Sequence, residues 1–236
     1  MSVDSLELKK QLMTGCRVLD SFGIFDEQGH LSSRVGDGSD LICINGNTSP
    51  GTAGIQEFET YDLTRSGYPD SVPGETPIHS QIYRARDDVG AICHNHSPYA
   101  VIVASAGLEL RPVHQVGTIQ KNSVAVYDEY DERGGTLITT DSEAKDVAAL
   151  LGDDRALMLK GHGAVVAGAT VTEAVLGSIK LEYNAMLIYH QAAIGEPWYL
   201  PEHVIEQNVE FVWDEAKMEK SIDYYLSNAD VLNSFV

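Results

Sequence analysis

Three histidines and a glutamate carry the residue types and spacing best suited to chemistry in this chain of 236 residues. His94-Asn95-His96 closes the apolar run Ala91-Ile92-Cys93. Residues two apart on a strand point to one face, so both imidazoles can converge on one point. His162 stands between Gly161 and Gly163, where glycine lets the backbone pass close to a bound group and leaves the histidine in a fixed, exposed position. Neutral imidazoles suit zinc, manganese and iron, and a third histidine leaves coordination positions open for a substrate. An isolated His-x-His is more often a pair of satisfied polar residues at a strand end. The third histidine, and Glu75 upstream, turn the balance toward a metal centre. Glu75 alone reads as a charge favourable to the helix that begins just after it, on which His79 sits.

The elements that must hold these residues alternate. Leu8, Leu12, Cys16, Leu19 and Phe22 fall three or four apart, which predicts an amphipathic helix over residues 4–22 that stops at Gly23. Leu41–Ile44 predicts a buried strand entering Asn45-Gly46-Asn47. Thr76-Pro77 opens a helix reaching about Arg86, Val89–His94 is a strand, and Ser97-Pro98 opens a helix closed by Gly107. Further strands are expected at Ser123–Tyr127, Thr136–Thr139, Ala156–Leu159 and Ala164–Ala167. Thr140 with Glu143 and Thr170 with Glu173 are capping boxes for two more helices, ending near Gly152 and Gly195. Residues 201–236 are polar, with weaker helical spacing. No linker, repeat or low-complexity tract interrupts the chain, so one α/β domain over residues 1–236 is expected.

Composition bounds the chemistry. With 16 basic and 35 acidic residues the net charge is −19, and no basic cluster is visible, which excludes nucleic acid as a partner. A small anionic substrate stays open if a metal or a few local cations hold it. Cys16, Cys43 and Cys93 form no Cys-x-x-Cys pair, and an odd number cannot close into a full disulfide set. The segment MSVDSLELKK lacks the basic and apolar regions of a signal peptide, and the longest apolar run, Tyr99 to Gly107, is far short of the roughly 20 residues that span a bilayer. A reduced, cytoplasmic protein with no membrane partner is expected. Phosphate-loop, HExxH, GxSxG and GxGxxG signatures are absent.

Glu75, His79, the run Ala91-Ile92-Cys93-His94-Asn95-His96-Ser97, the run Lys160-Gly161-His162-Gly163 and the element Gly29-His30-Leu31-Ser32-Ser33-Arg34 together resemble the class II aldolase/adducin family over about residues 5–200. The resemblance implies a three-layer α/β/α sandwich, usually a homotetramer with active sites at subunit interfaces. It implies one divalent metal ion held by His94, His96 and His162, and Glu75 as acid/base, able to approach the metal when no substrate is bound. Three imidazoles accept zinc, manganese, iron or cobalt. A metal that chelates two substrate oxygens stabilises the carbanion left when a carbon–carbon bond breaks. Glu75 then moves the proton, provided burial raises its pKa enough to hold one.

Departures from the family pattern bear on substrate. Sugar-phosphate aldolases of the family resemble one another in an asparagine where this chain has His30, and in two phosphate-binding serines where it has Pro73 and Gly74. Proline has no N–H and neither residue has a hydroxyl, which weakens that cradle. Thr48 and Ser49 still offer hydroxyls and amides to an anion. His30, with Ile82-Tyr83-Arg84-Ala85-Arg86, looks like the branch of decarboxylases of hydroxylated aromatic or pyridine carboxylates. The expectation is a metal-dependent carbon–carbon lyase decarboxylating an unphosphorylated, hydroxy-substituted carboxylate, with His30, Ser32, Thr48, Ser49 and His79 contacting substrate. Retro-aldol cleavage of a hydroxy-keto acid or sugar phosphate is the alternative. A non-catalytic adducin-like protein and a metal-dependent oxygenase are alternatives of other classes. Arg84 and Arg86 are expected in surface ion pairs with Asp87 or Asp88, and Cys93 in the core. Sugar-phosphate aldolases of the family use a C-terminal tyrosine as a proton donor; Tyr224 and Tyr225 align with it at no fixed position and read as packed aromatics.

Overall fold

The computed structural model describes residues 5–130 and 135–233; residue 4, where the first helix was expected to start, lies outside them. Its strands are β1 (His30–Arg34), β2 (Leu41–Asn45), β3 (Phe58–Asp62), β4 (Ala91–Asn95), β5 (Ala125–Tyr127), β6 (Ala156–Leu159) and β7 (Gly163–Gly168). Its helices are α1 (Ser5–Ser21), α2 (Thr76–Ala85), α3 (Pro98–Ser105), α4 (Asp141–Leu151), α5 (Val171–Ile194), α6 (Glu202–Val212) and α7 (Glu215–Asn233). The strands make one sheet in the order β3-β2-β1-β4-β7-β6-β5, antiparallel at every pairing except β5–β6.

Apolar side chains on the two faces of the sheet recruit different helices. Leu31, Cys93 and Val166 face α1, α3 and α5, which bury Leu12, Leu19, Val103 and Val175 against them. Ile44, Ile92 and Leu157 face α2 and α4, which supply Ile78, Ile82 and Val147. The result is the expected three-layer α/β/α sandwich. Each fully buried leucine or isoleucine contributes roughly 1.5–3 kcal/mol, and Cys93 is one of these core residues. Among the described residues no helix is long and apolar enough to cross a membrane.

Most expected elements are present, with three differences. β1 and β3 were not marked by periodicity. The sequence His-Leu-Ser-Ser-Arg of β1 has no apolar alternation, yet all five residues are buried. Thr136–Thr139 is not a strand: the Ile138 amide goes to the Glu75 carboxylate instead of a ladder partner. The capping box at Thr140 and Glu143 is complete. At α5, Thr170 accepts from the Glu173 amide, but the Glu173 carboxylate takes the Ala169 amide and the Arg155 guanidinium.

Candidate metal centre

Three strand ends bring the histidines together. β1 runs antiparallel to β4 with His30 opposite His94, and their ring centroids lie 4.8 Å apart. His96 follows the end of β4, where Asn95 anchors the turn by donating to Ser178 Oγ and accepting from the Ser97 amide and hydroxyl. Glu182 of α5 accepts from the Tyr99 and Ala100 amides at the start of α3, a favourable place for a carboxylate. His162 is carried by the tight β6–β7 turn. Gly161 there has φ +67°, a backbone state that glycine adopts without strain. A Cβ on Gly163 would come within 2.3 Å of the Asn95 carbonyl oxygen, so only glycine lets the turn close against β4.

The donor set fits a metal ion on its hydrogen bonding alone. One ring nitrogen from each of His94, His96 and His162 lies within 4.8 Å of the others. His94 Nδ1 is 3.1 Å from the Ala164 carbonyl oxygen and His96 Nδ1 is 2.8 Å from Asp26 Oδ2, so both carry their proton at Nδ1 and leave a lone pair on Nε2. Those two Nε2 atoms and His162 Nδ1 are buried with no hydrogen-bond partner. Buried polar atoms are normally paired, so this concentration of open nitrogens marks where a ligand belongs. The carboxylate behind His96 is the outer support that metal-binding imidazoles commonly have.

Glu75 stands beside the open nitrogens, nearly buried. Its Oε1 accepts from the Ile138 amide at 2.8 Å, and its Oε2 is 3.4 Å from His162 Nε2 and 3.5 Å from His94 Nε2. Burial pushes its pKa up, but the adjoining His162 and His94 rings outweigh burial and hold the carboxyl below the usual carboxylate range. That corrects the expectation of a raised Glu75. Burial, reinforced by the positive character of neighbouring histidines, depresses His30, His79 (to about 3) and His94, although Glu75 works the other way on all three.

A cavity of about 610 Å³ opens on this cluster, and its lining includes Glu75, His96, His162, His30, Thr48 and Ser49. Pro73 and Gly74 also line it, so the positions without hydroxyls face the ligand space. A family model for the class II aldolase and adducin N-terminal domain matches residues 10–189. The chain belongs to the class II aldolase and adducin family. A 3,4-dihydroxyphthalate decarboxylase from Terrabacter sp. is 30% identical over 198 residues, covering 79% of this chain and 82% of that enzyme. A 5-deoxy-D-ribulose 1-phosphate aldolase from Bacillus thuringiensis is 32% identical over 134 residues, 56% of this chain and 59% of the aldolase. An L-fuculose 1-phosphate aldolase from Glaciozyma antarctica shares the fold, with a TM-score of 0.79 at 21% identity over 97% of this chain and 90% of its own. Like these relatives, this class II aldolase family member is a lyase.

Other residues singled out in the sequence of this family member fall into place around the centre. Ser32 and His79 are fully buried and do not line the cavity; they reach it only through His30, because β1 and α2 pack face to face there. Arg86 pairs with Asp88 at 2.6 Å and also donates to the Gly152 and Asp154 carbonyls. Arg84 donates to the Leu63 carbonyl rather than to an aspartate. Tyr225 packs edge-on against Phe22, Tyr224 is exposed, and neither lines the cavity. Sequence reading missed Asp26, the Ile138 amide and Tyr83. An acid just before Gly29-His30 was the only signal for Asp26; a backbone amide leaves none.

Proposed function

We propose that the protein decarboxylates a hydroxy-substituted, unphosphorylated carboxylate, aromatic in the first instance, with a divalent metal at His94, His96 and His162. The observation that carries this reading is the group of open histidine nitrogens beside Glu75, facing a cavity whose wall has Pro73 and Gly74 in place of phosphate-binding hydroxyls. Zinc or manganese suits three imidazoles, with iron or cobalt also accepted. A bound cation supplies Lewis acidity, drawing charge away from the carbon whose bond to the carboxylate breaks. Glu75 is held ionised by the His162 and His94 rings, so its Oε2 would take the proton of a substrate hydroxyl that the cation has made more acidic. As carbon dioxide leaves, the electron pair remaining on carbon recaptures that proton from Glu75. The Ile138 amide keeps the carboxylate aimed by holding Oε1. Thr48, Ser49 and His30 orient the substrate, and Ser32 and His79 act through His30.

Retro-aldol cleavage is the second reading, favoured by the Thr48 and Ser49 hydroxyls on the cavity wall. Both reactions leave charge on carbon, so Glu75 has the same duty in each. The test incubates zinc- or manganese-loaded protein separately with 3,4-dihydroxyphthalate and with 5-deoxyribulose 1-phosphate. Carbon dioxide release from the first is expected; aldehyde from the second without carbon dioxide from the first selects the aldolase. Protein that takes up no metal after exposure to either ion points to a non-catalytic, adducin-like role, and oxygen uptake coupled to substrate loss points to an oxygenase. The reading includes a cytoplasmic homotetramer. Three free, buried thiols and the exposed apolar side chains Ile102, Tyr189 and Ile194 support it, and light scattering tests the assembly.

A further inference from the structure

Four buried side chains form a single file leading away from the cavity. Tyr83 OH is 2.8 Å from Ser32 Oγ, Ser32 Oγ is 2.7 Å from His79 Nδ1, and His79 Nε2 is 2.9 Å from His30 Nδ1. The file exists because two periods match. Residues two apart on β1 rise about 6.6 Å and residues four apart on α2 rise about 6 Å, so His30 and Ser32 mesh with His79 and Tyr83. His30 lines the cavity, and with Nδ1 engaged by His79 its remaining polar atom is Nε2.

A neutral imidazole carries one N–H, so the His79 proton sits on Nε2 or on Nδ1, and the direction of the file turns on that choice. Run outward, Tyr83 donates to Ser32, Ser32 donates to His79 Nδ1, and His79 Nε2–H donates to His30 Nδ1. The His30 proton then sits on Nε2, and every donor within the file has an acceptor. Run inward, His30 Nδ1–H donates to His79, His79 Nδ1–H to Ser32, and Ser32 to Tyr83. One hydroxyl proton is then stranded, that of Tyr83 or, where Ser32 accepts from both neighbours, that of Ser32, because neither hydroxyl has a further hydrogen-bond partner among the described residues. The phenol cannot escape by ionising, since burial pushes its pKa up. Nor can Arg34 relieve it. That guanidinium lies 4.9 Å over the Tyr83 ring, but it is donor-only and is committed to the Val89, Ser39 and Tyr83 carbonyls. A stranded buried donor disfavours the inward direction by roughly ten- to a hundredfold.

We propose that His30 is a hydrogen-bond donor to the substrate through Nε2–H, and that Ser32 and Tyr83 are positioning residues that fix this tautomer from two and three links away. His30 is thereby neither a metal ligand nor a general base. Resting on the lyase reading above, the N–H stabilises the substrate oxygen on which negative charge grows as the carbon–carbon bond breaks.

The deciding experiment is neutron diffraction from deuterium-exchanged crystals of the zinc-loaded protein at neutral pH. Deuterium on Nε2 of both His30 and His79, with none on either Nδ1, is expected. Deuterium on His30 Nδ1 overturns the proposal whatever reaction the protein catalyses, so its failure is separable from failure of the lyase reading. A kinetic arm tests the role of the donor, using the substrate the protein turns over. Ser32→Ala cuts the file and lowers kcat about tenfold, with KM and zinc content unchanged. Tyr83→Phe lowers it only about two- to threefold, because the Ser32 hydroxyl keeps His79 as its acceptor. Ser32→Ala protein that folds, holds zinc and keeps full kcat overturns the catalytic part even where the deuterium positions are as expected.

Discussion

His30, Ser32, His79 and Tyr83 make one polar cluster in the layer between the sheet and α2; His94, His96 and His162 make another beside it. The two treat their hydrogen bonds in opposite ways. In the first, each of the three links is 2.7–2.9 Å long and the file closes on a phenol. In the second, three ring nitrogens are buried without a partner. Both clusters are polar, and although His96 and His162 are more exposed than the side chains of the file, the open nitrogens themselves are buried, so polarity and burial of the polar atoms do not distinguish structure from site. What distinguishes them is completeness: within the file every link is made and only His30 Nε2 is left over at the cavity, whereas open nitrogens are costly until something binds them.

The sharpest way to break that contrast is to remove the open nitrogens. His94→Ala or His96→Ala is expected to abolish metal retention and lower turnover by about a thousandfold or more, given the several kcal/mol a Lewis acid supplies. Elemental mass spectrometry beside activity checks this, and full metal content in either variant would detach that histidine from the centre. Glu75→Gln keeps the metal and loses about 10²- to 10⁴-fold in kcat, the usual share of a general acid–base; a fully active variant removes Glu75 from the mechanism. Asp26→Asn leaves the fold intact but weakens metal affinity by about 10- to 100-fold in a chelator competition, because the bond that orients His96 is lost. Unchanged affinity would reduce Asp26 to a surface contact.

The closed cluster answers to pH instead. His79 is held near 3 in the folded chain against a usual value of 6.5, so the folded protein refuses a proton that the unfolded chain accepts. Stability is full above pH 6.5 and falls as pH drops toward about 3, by about 1.4 kcal/mol per pH unit for this one group. Urea unfolding of metal-free protein between pH 7 and pH 5 measures the slope, and His79→Gln should flatten it by that amount. An unchanged slope would mean that His79 is not buried neutral.

Legibility in the sequence followed chemistry more closely than geometry. His94, His96, His162 and Glu75 were readable as a group: a His-x-His pair alone is commonly structural, but a third histidine between glycines and an upstream acid turn the balance. The close approach that Gly163 permits was readable for the same reason. β1 was not, because five polar or mixed residues have no apolar period, and their burial depends on α2 packing over His30, Ser32 and Arg34 on one face and on α1 packing over Leu31 on the other. Thr136–Thr139 was misread because strand propensity says nothing about a competing acceptor, and Glu75 claims the Ile138 amide from 63 residues away in sequence.

By itself the sequence determined the layered α/β class, the family, the metal-binding residue types and the acid beside them. These follow from local periods and from residue chemistry that no packing can change. Only the tertiary structure decided that Asp26 is hydrogen-bonded to His96, that Glu75 is clamped by a backbone amide, and that Ser32 and His79 lie behind His30 rather than on the cavity wall. Each of those relations joins segments distant in the chain, and hydrogen-bond direction is set by which donors are left after every neighbour has been counted.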